Sequence, residues 1–238
     1  MEHNDVAFSF YVLASIWAFY EFVEKKSWKW AIAIGVFVGC AILNKWLTGL
    51  LVFLPWGIFL LKEFIKDRST SQIKYFALAL LCCCIVFLPW QLYILYNFPV
   101  EAQHEYWLNS QHIITAVDGH AGEWYYYILQ FTRYFGDFIL LFIPIGIFVM
   151  TKKINQFHWA NMIMGVTVFI FFSFLVATKL PSFIFIVVPL FVIYLAAGFD
   201  FIISKIRYNK LYYFLALPLF WFMLNPMQIR KNHFVPDA

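Results

Sequence analysis

Apolar residues run along this chain in unbroken stretches, not in alternation with polar ones. Eight such stretches stand out, at roughly 6–23, 30–44, 47–61, 75–97, 124–150, 159–177, 182–203 and 211–224. An α-helix rises 1.5 Å per residue, so about 20 apolar residues cross a hydrocarbon core about 30 Å thick. The pattern predicts an all-α, polytopic membrane helical bundle of about eight spans, forming a single transmembrane domain over 1–238. The 30–44, 47–61 and 211–224 stretches are short, and the last also fits an interfacial segment. An outer-membrane barrel would need period-two strands, which the continuous runs exclude.

Composition strengthens this picture. Of 238 residues, 63% are apolar and 13% charged, with a mean hydropathy of +0.76; ordinary soluble domains hold about 45–50% apolar and about 25% charged residues. One core cannot hide so much apolar surface beneath a charged shell. Soluble enzymes, nucleic-acid binders and disulfide-stapled secreted domains are therefore excluded. The opening Met-Glu-His-Asn-Asp carries no positive n-region, and Val6–Val23 has no small-residue cleavage site, so this run is a span and not a signal peptide. Cys40 and the run Cys82-Cys83-Cys84 have no metal-type spacing and sit within apolar stretches, where thiols act as small apolar groups.

The net charge of +4 matters through its placement. Lys25, Lys26 and Lys29, then Lys62, Lys66, Arg68 and Lys74, then Lys152 and Lys153, and finally Lys205, Arg207 and Lys210 occupy alternate connections. These are twelve of the 17 Lys and Arg residues, and the positive-inside rule makes their side cytoplasmic. The amino terminus, the Asn44–Gly49 turn, the 98–123 connection and the Thr178–Ser182 turn then share the outer face.

The outer connection at 98–123 is the long extramembrane segment, and it is read as an outer loop. It gathers Glu101, His104, Glu105, His112, Asp118, His120 and Glu123, which are three of the six histidines and four of the thirteen acids. Trp107, Trp124 and Tyr125-Tyr126-Tyr127 suit an aromatic belt at headgroup depth. The belt leaves the clustered acids and histidines unexplained, and long loops are more often functional than idle.

Ionisable groups at a bilayer are costly unless paired or wet, so each is a candidate. Lys45 and Lys179 stand alone at outer span ends, where cations are scarce. They either snorkel to headgroups or hold a phosphate between them. Asp5, on the same face, is available as a general base for an acceptor hydroxyl. Arg133 and Asp137, one turn apart, are spaced to pair with each other. Gly35-Val-Phe-Val-Gly39 is a GxxxG stretch suited to close helix packing. No Walker, GxSxG or HExxH sequence is present.

Four stretches carry a family resemblance. Gly35-Val-Phe-Val-Gly-Cys-Ala-Ile-Leu-Asn-Lys45-Trp-Leu-Thr-Gly49 resembles the GLxxGLAxLTKGxxG stretch of the GT-C glycosyltransferases, in the bacterial branch related to protein O-mannosyltransferases and the lipid A aminoarabinose transferase. Leu88-Pro-Trp-Gln-Leu-Tyr resembles that family's LPWYL segment. Val117-Asp-Gly-His120-Ala-Gly-Glu-Trp-Tyr-Tyr-Tyr127 resembles its xEGHxGxWWYYL stretch, and Thr178-Lys179-Leu-Pro-Ser-Phe resembles SKLPxY. They occur in the family's order. Asn44 stands where the family has Thr, and Trp46 where it has Gly. Members are longer and begin with a span and an outer loop bearing an acidic pair. His3-Asn4-Asp5-Val6 resembles the second acidic position, so the chain reads as a member lacking its first spans, with little turnover expected of it alone.

The resemblance implies sugar transfer from a polyprenyl-phosphate donor to a lipid or protein acceptor on the outer face of a bacterial inner membrane. Lys45 and Lys179 would hold the donor phosphate, Asp5 would be the catalytic acid-base group, and His120 with Asp118 or Glu123 would shape the acceptor entrance. No soluble cofactor is implied and no metal ligand is assigned; a divalent metal stays open. Membrane lipids are expected partners and nucleic acid is not. A transporter or flippase-like carrier and a non-catalytic membrane scaffold stand as rivals. The first would place ionisable residues at mid-membrane in two repeated halves; no such repeat is visible.

Overall fold

The computed structural model describes residues 3–67, 72–135, 139–152, 156–184 and 187–205. It is an all-α membrane bundle, with no strand among the described residues. Helix α1 (His3–Lys25) and helix α2 (Trp28–Lys45) form a hairpin with only two residues between them. The reversal is made by Lys26 in the left-handed region (φ 43°), whose N–H donates to Phe22 O at 2.7 Å. Ser27 then caps α2, with its Oγ accepting from Lys29 N–H at 3.4 Å. Trp17 and Trp30 meet edge to face across the hairpin at 5.1 Å.

A 3-10 segment (Trp46–Val52) follows and leads into α3 (Phe53–Asp67). It folds back along α2. A Cβ on Gly49 would lie 2.9 Å from Ile42 N, so only glycine fits this approach. Helix α4 (Ile73–Asn97) runs beside α2, where the GxxxG glycines make room: a Cβ on Gly35 would lie 2.8 Å from Cys82 Cβ, and one on Gly39 would lie 2.6 Å from Val86 Cβ. Trp56 anchors the interior, with ring centres 4.8 Å from Phe22, 5.1 Å from Phe76 and 5.8 Å from Phe19.

The 98–123 connection is not the unstructured loop that its polarity suggested. Pro99 opens a 16-residue helix α5 (Pro99–Ile114), with Glu101 in its first turn where the helix dipole favours an anion. A helix that does not cross the membrane needs no long apolar run, so hydropathy passes over it. A 3-10 turn (Val117–Gly119) follows. Next come α6 (Tyr126–Phe135), α7 (Ile139–Thr151), α8 (Gln156–Ile170) with a π-helical turn at Phe171–Leu175, α9 (Pro181–Ile184) and α10 (Val188–Ser204).

Asp5–Lys25, Trp28–Lys45 and Ile73–Asn97 are long and apolar enough to cross a bilayer, and Gly49–Lys62, Phe142–Thr151, Asn161–Leu175 and Val188–Ile202 are shorter apolar helices. The expected 124–150 span holds two helices on either side of 136–138. The 211–224 segment and Asp137 lie outside the described residues, as do the side chains of Arg133 and Asp118.

Packing divides the chain into two compact units. The first comprises 1–122 and 155–190, with α8 packed on α1, α3 and the 3-10 segment. The second comprises 123–154 and 191–238. Within it, α7 and α10 meet at Gly146 and Gly198, a Cβ on Gly198 lying 2.9 Å from Gly146 N, and Phe131 meets Phe191 at 4.8 Å.

Candidate active site

The hairpin brings the first turn of α1 and the last turn of α2 to the same end. Asp5 there pairs with Lys45. Each charge sits at the helix terminus whose dipole favours it, the acid at an N-terminus and the cation at a C-terminus. The Asp5 side chain is 4% exposed and that of Lys45 24%. A carboxylate removed from water is tolerable only with such a partner. Lys45 also marks the end of α2: its backbone (φ −138°, ψ 42°) leaves the helical region and the 3-10 segment begins. Beyond it an apolar groove of about 450 Å³ is lined by Leu50, Leu51, Phe53, Leu54, Gly57, Ile58 and Leu61, with open space where a Gly57 side chain would stand.

Lys179 is used differently. It is 5% exposed, and its Nζ donates to Phe172 O at 2.7 Å, Ser173 O at 2.8 Å and Val176 O at 2.6 Å. Three carbonyls match the three protons of an ammonium. They are carbonyls at the end of the π-helical turn, which a cation suits. Burial lowers the Lys179 pKa from the usual lysine value, a desolvation cost that these acceptors offset.

The residues around Lys179 are tied to α5 and the turn after it. Ala177 N–H donates to Ile113 O at 3.0 Å, Thr178 N–H to His112 O at 3.0 Å and Lys179 N–H to His120 O at 2.7 Å. The Thr178 hydroxyl donates to Thr115 O at 3.0 Å, accepts from Val117 N–H at 3.1 Å and lies 3.2 Å from His112 Nδ1. The structure thus joins Asp5 to Lys45, and Lys179 to His120 through the backbone. His120 and Glu123 are exposed. Sequence reasoning missed Thr178 and His112 as partners. The only hint was that Thr178 lies in the family-like Thr-Lys-Leu-Pro-Ser-Phe stretch. Among the described residues no group of three or more His, Cys, Asp or Glu gathers as a metal site would need.

This helical architecture is shared with solved structures of a membrane transferase, and the resemblance read from the four sequence stretches is borne out by a family model and by those structures. Residues 1–93, which include both Asp5 and Lys45, match the family model described as dolichyl-phosphate-mannose-protein mannosyltransferase. Among solved structures, the chain is similar to ArnT from Cupriavidus metallidurans in the apo state, with a TM-score of 0.63, 20% identity, and coverage of 83% of this chain and 36% of that one. It is also similar to the same protein bound to undecaprenyl phosphate, with a TM-score of 0.57, 23% identity, and coverage of 72% and 31%. The chain therefore spans about a third of the length of the structures it matches. No curated protein sequence matches it significantly.

Proposed function

We propose that the chain is part of a membrane glycosyltransferase that takes a sugar from a polyprenyl-phosphate donor at the outer face of a bacterial inner membrane and passes it to a lipid or protein acceptor. The observation that carries this reading is the Asp5–Lys45 pair, which sets a carboxylate and an ammonium side by side within the segment that matches the mannosyltransferase family. Undecaprenyl phosphate bound in one of the similar structures supports the donor class.

In this reaction the acceptor hydroxyl loses its proton to Asp5 as its oxygen attacks the anomeric carbon. The new carbon–oxygen bond forms while the bond from that carbon to the donor phosphate breaks, and polyprenyl phosphate leaves. Lys45, part-exposed beside Asp5, would hold the leaving phosphate by its positive charge. The isoprenoid tail would lie along the apolar groove beyond Lys45. His120, with Asp118 or Glu123, would border the acceptor entrance.

The direct test is binding in lipid nanodiscs. The chain should bind undecaprenyl phosphate and should bind undecaprenol, which lacks the phosphate, at least about tenfold more weakly, because a charge-assisted hydrogen bond contributes about 1.5–3 kcal/mol. Equal binding of the two lipids would show that the chain holds no phosphate site.

A further inference from the structure

The Thr178 hydroxyl has one proton, and it is given to Thr115 O. Its lone pairs accept from Val117 N–H and face His112 Nδ1. His112 Nδ1 must therefore be the donor in that contact, which leaves Nε2 as the basic nitrogen of the ring. His112 is half-buried, and its ring meets the edge of Phe183 at 6.3 Å. The arrangement holds only if Ala177, Thr178 and Lys179 stay in register with the 112–120 segment. Their own backbone leaves the π-helical turn in extended form at Val176 (φ −102°, ψ 124°), with little local structure to fix it. What fixes it is the Lys179 ammonium, bound to two carbonyls of that turn, Phe172 O and Ser173 O, and to Val176 O just after it.

We propose that Lys179 is a positioning residue. Its ammonium latches the end of the π-helical turn so that Thr178 holds His112 in one tautomer and one orientation, and the Lys179 backbone N–H holds His120. On this assignment Lys179 does not itself bind the donor phosphate. The assignment deepens the proposed function, since the 112–120 segment is the acceptor entrance in that reading, but its test stands apart from it.

The full chain in nanodiscs is compared with Lys179→Met, Lys179→Arg, Thr178→Val and Lys45→Met. Three quantities are read: amide hydrogen exchange, the ¹⁵N signals of His112, and binding of undecaprenyl phosphate. Lys179→Met should raise exchange in 112–120 by about tenfold or more, the scale expected when local hydrogen bonds are lost. The rest of the first unit should keep its protection, and the His112 signals should move from one tautomer to a mixture. Lys179→Arg still donates to carbonyls and should restore most of the protection. If Lys179→Met does not fold, Thr178→Val decides alone, since it should cause the same His112 change with the lysine in place. Lys45→Met, which leaves the Lys179 latch in place, should leave the His112 signals unchanged. Unchanged exchange and tautomer in both Lys179→Met and Thr178→Val would overturn the proposal, as would a tenfold loss of undecaprenyl phosphate binding in Lys179→Met with 112–120 still protected. If the wild-type chain does not bind the lipid at all, the proposed function fails, while exchange and tautomer still decide the role of Lys179.

Discussion

Lys45 and Lys179 look alike in sequence, each an isolated cation at the outer end of an apolar run, yet the protein spends them differently. Lys45 faces a carboxylate from another helix and keeps about a quarter of its side chain exposed. Lys179 is buried and gives its protons to carbonyls of its own turn. A part-exposed lysine paired with a carboxylate stays charged at its helix end, where an arriving phosphate can meet it. One that closes a helix end cannot turn to a ligand without exposing backbone acceptors, and each buried group left unsatisfied costs about 1–3 kcal/mol. Position relative to the membrane nominates both residues, and only their partners tell them apart.

The largest expected effect sharpens this contrast through stability. Lys45→Met leaves Asp5 buried without its partner and should lower unfolding stability by about 3–5 kcal/mol, with Asp5→Asn in the same chain recovering most of the loss. Thermal unfolding of the two single variants and the double variant in nanodiscs measures the coupling. Strict additivity would show that the two charges do not act as a pair.

Lys179→Met should cost less, about 1–3 kcal/mol, and Asp5→Asn should not rescue it, because the orphaned groups are carbonyls. Rescue by Asp5→Asn in the same unfolding assay would break the comparison.

Gly49→Val tests the Lys45 region from behind. The added side chain meets the backbone at Ile42 and should cost about 1–3 kcal/mol, with faster hydrogen exchange confined to the 45–52 stretch and none in 112–120.

The smallest effect lies at the other end of the same hairpin. Lys26→Gly relieves a left-handed backbone and should stabilise the chain by up to about 1 kcal/mol without changing lipid binding, as unfolding and binding assays would report.

Much of the bundle was legible because membrane helices announce themselves by length and apolarity: 6–23, 30–44 and 75–97 correspond to α1, α2 and α4. Gly35 and Gly39 were readable as packing positions because only a missing Cβ permits that approach to α4. Helix α5 was not legible, since its mixed surface carries no continuous run and its start is set by Pro99. In the site, the sidedness of Asp5 and Lys45 was readable from charge placement, but their contact depended on the two-residue turn after Lys25. The fate of Lys179 depended on a π-helical turn, which no hydropathy pattern encodes, and on hydrogen bonds to residues about 60 positions away.

In the proposed function, the donor phosphate meets the Asp5–Lys45 end of the first hairpin. Equilibrium binding of undecaprenyl phosphate to the chain in nanodiscs, compared between wild type, Lys45→Met with Asp5→Asn, and Lys179→Met, tests it most directly. A loss of about tenfold or more is expected in the first variant, where the charge is gone but no buried acid is stranded, and a change within about twofold in the second. Wild-type affinity in the Asp5→Asn, Lys45→Met chain, with the loss falling on Lys179→Met instead, would contradict it.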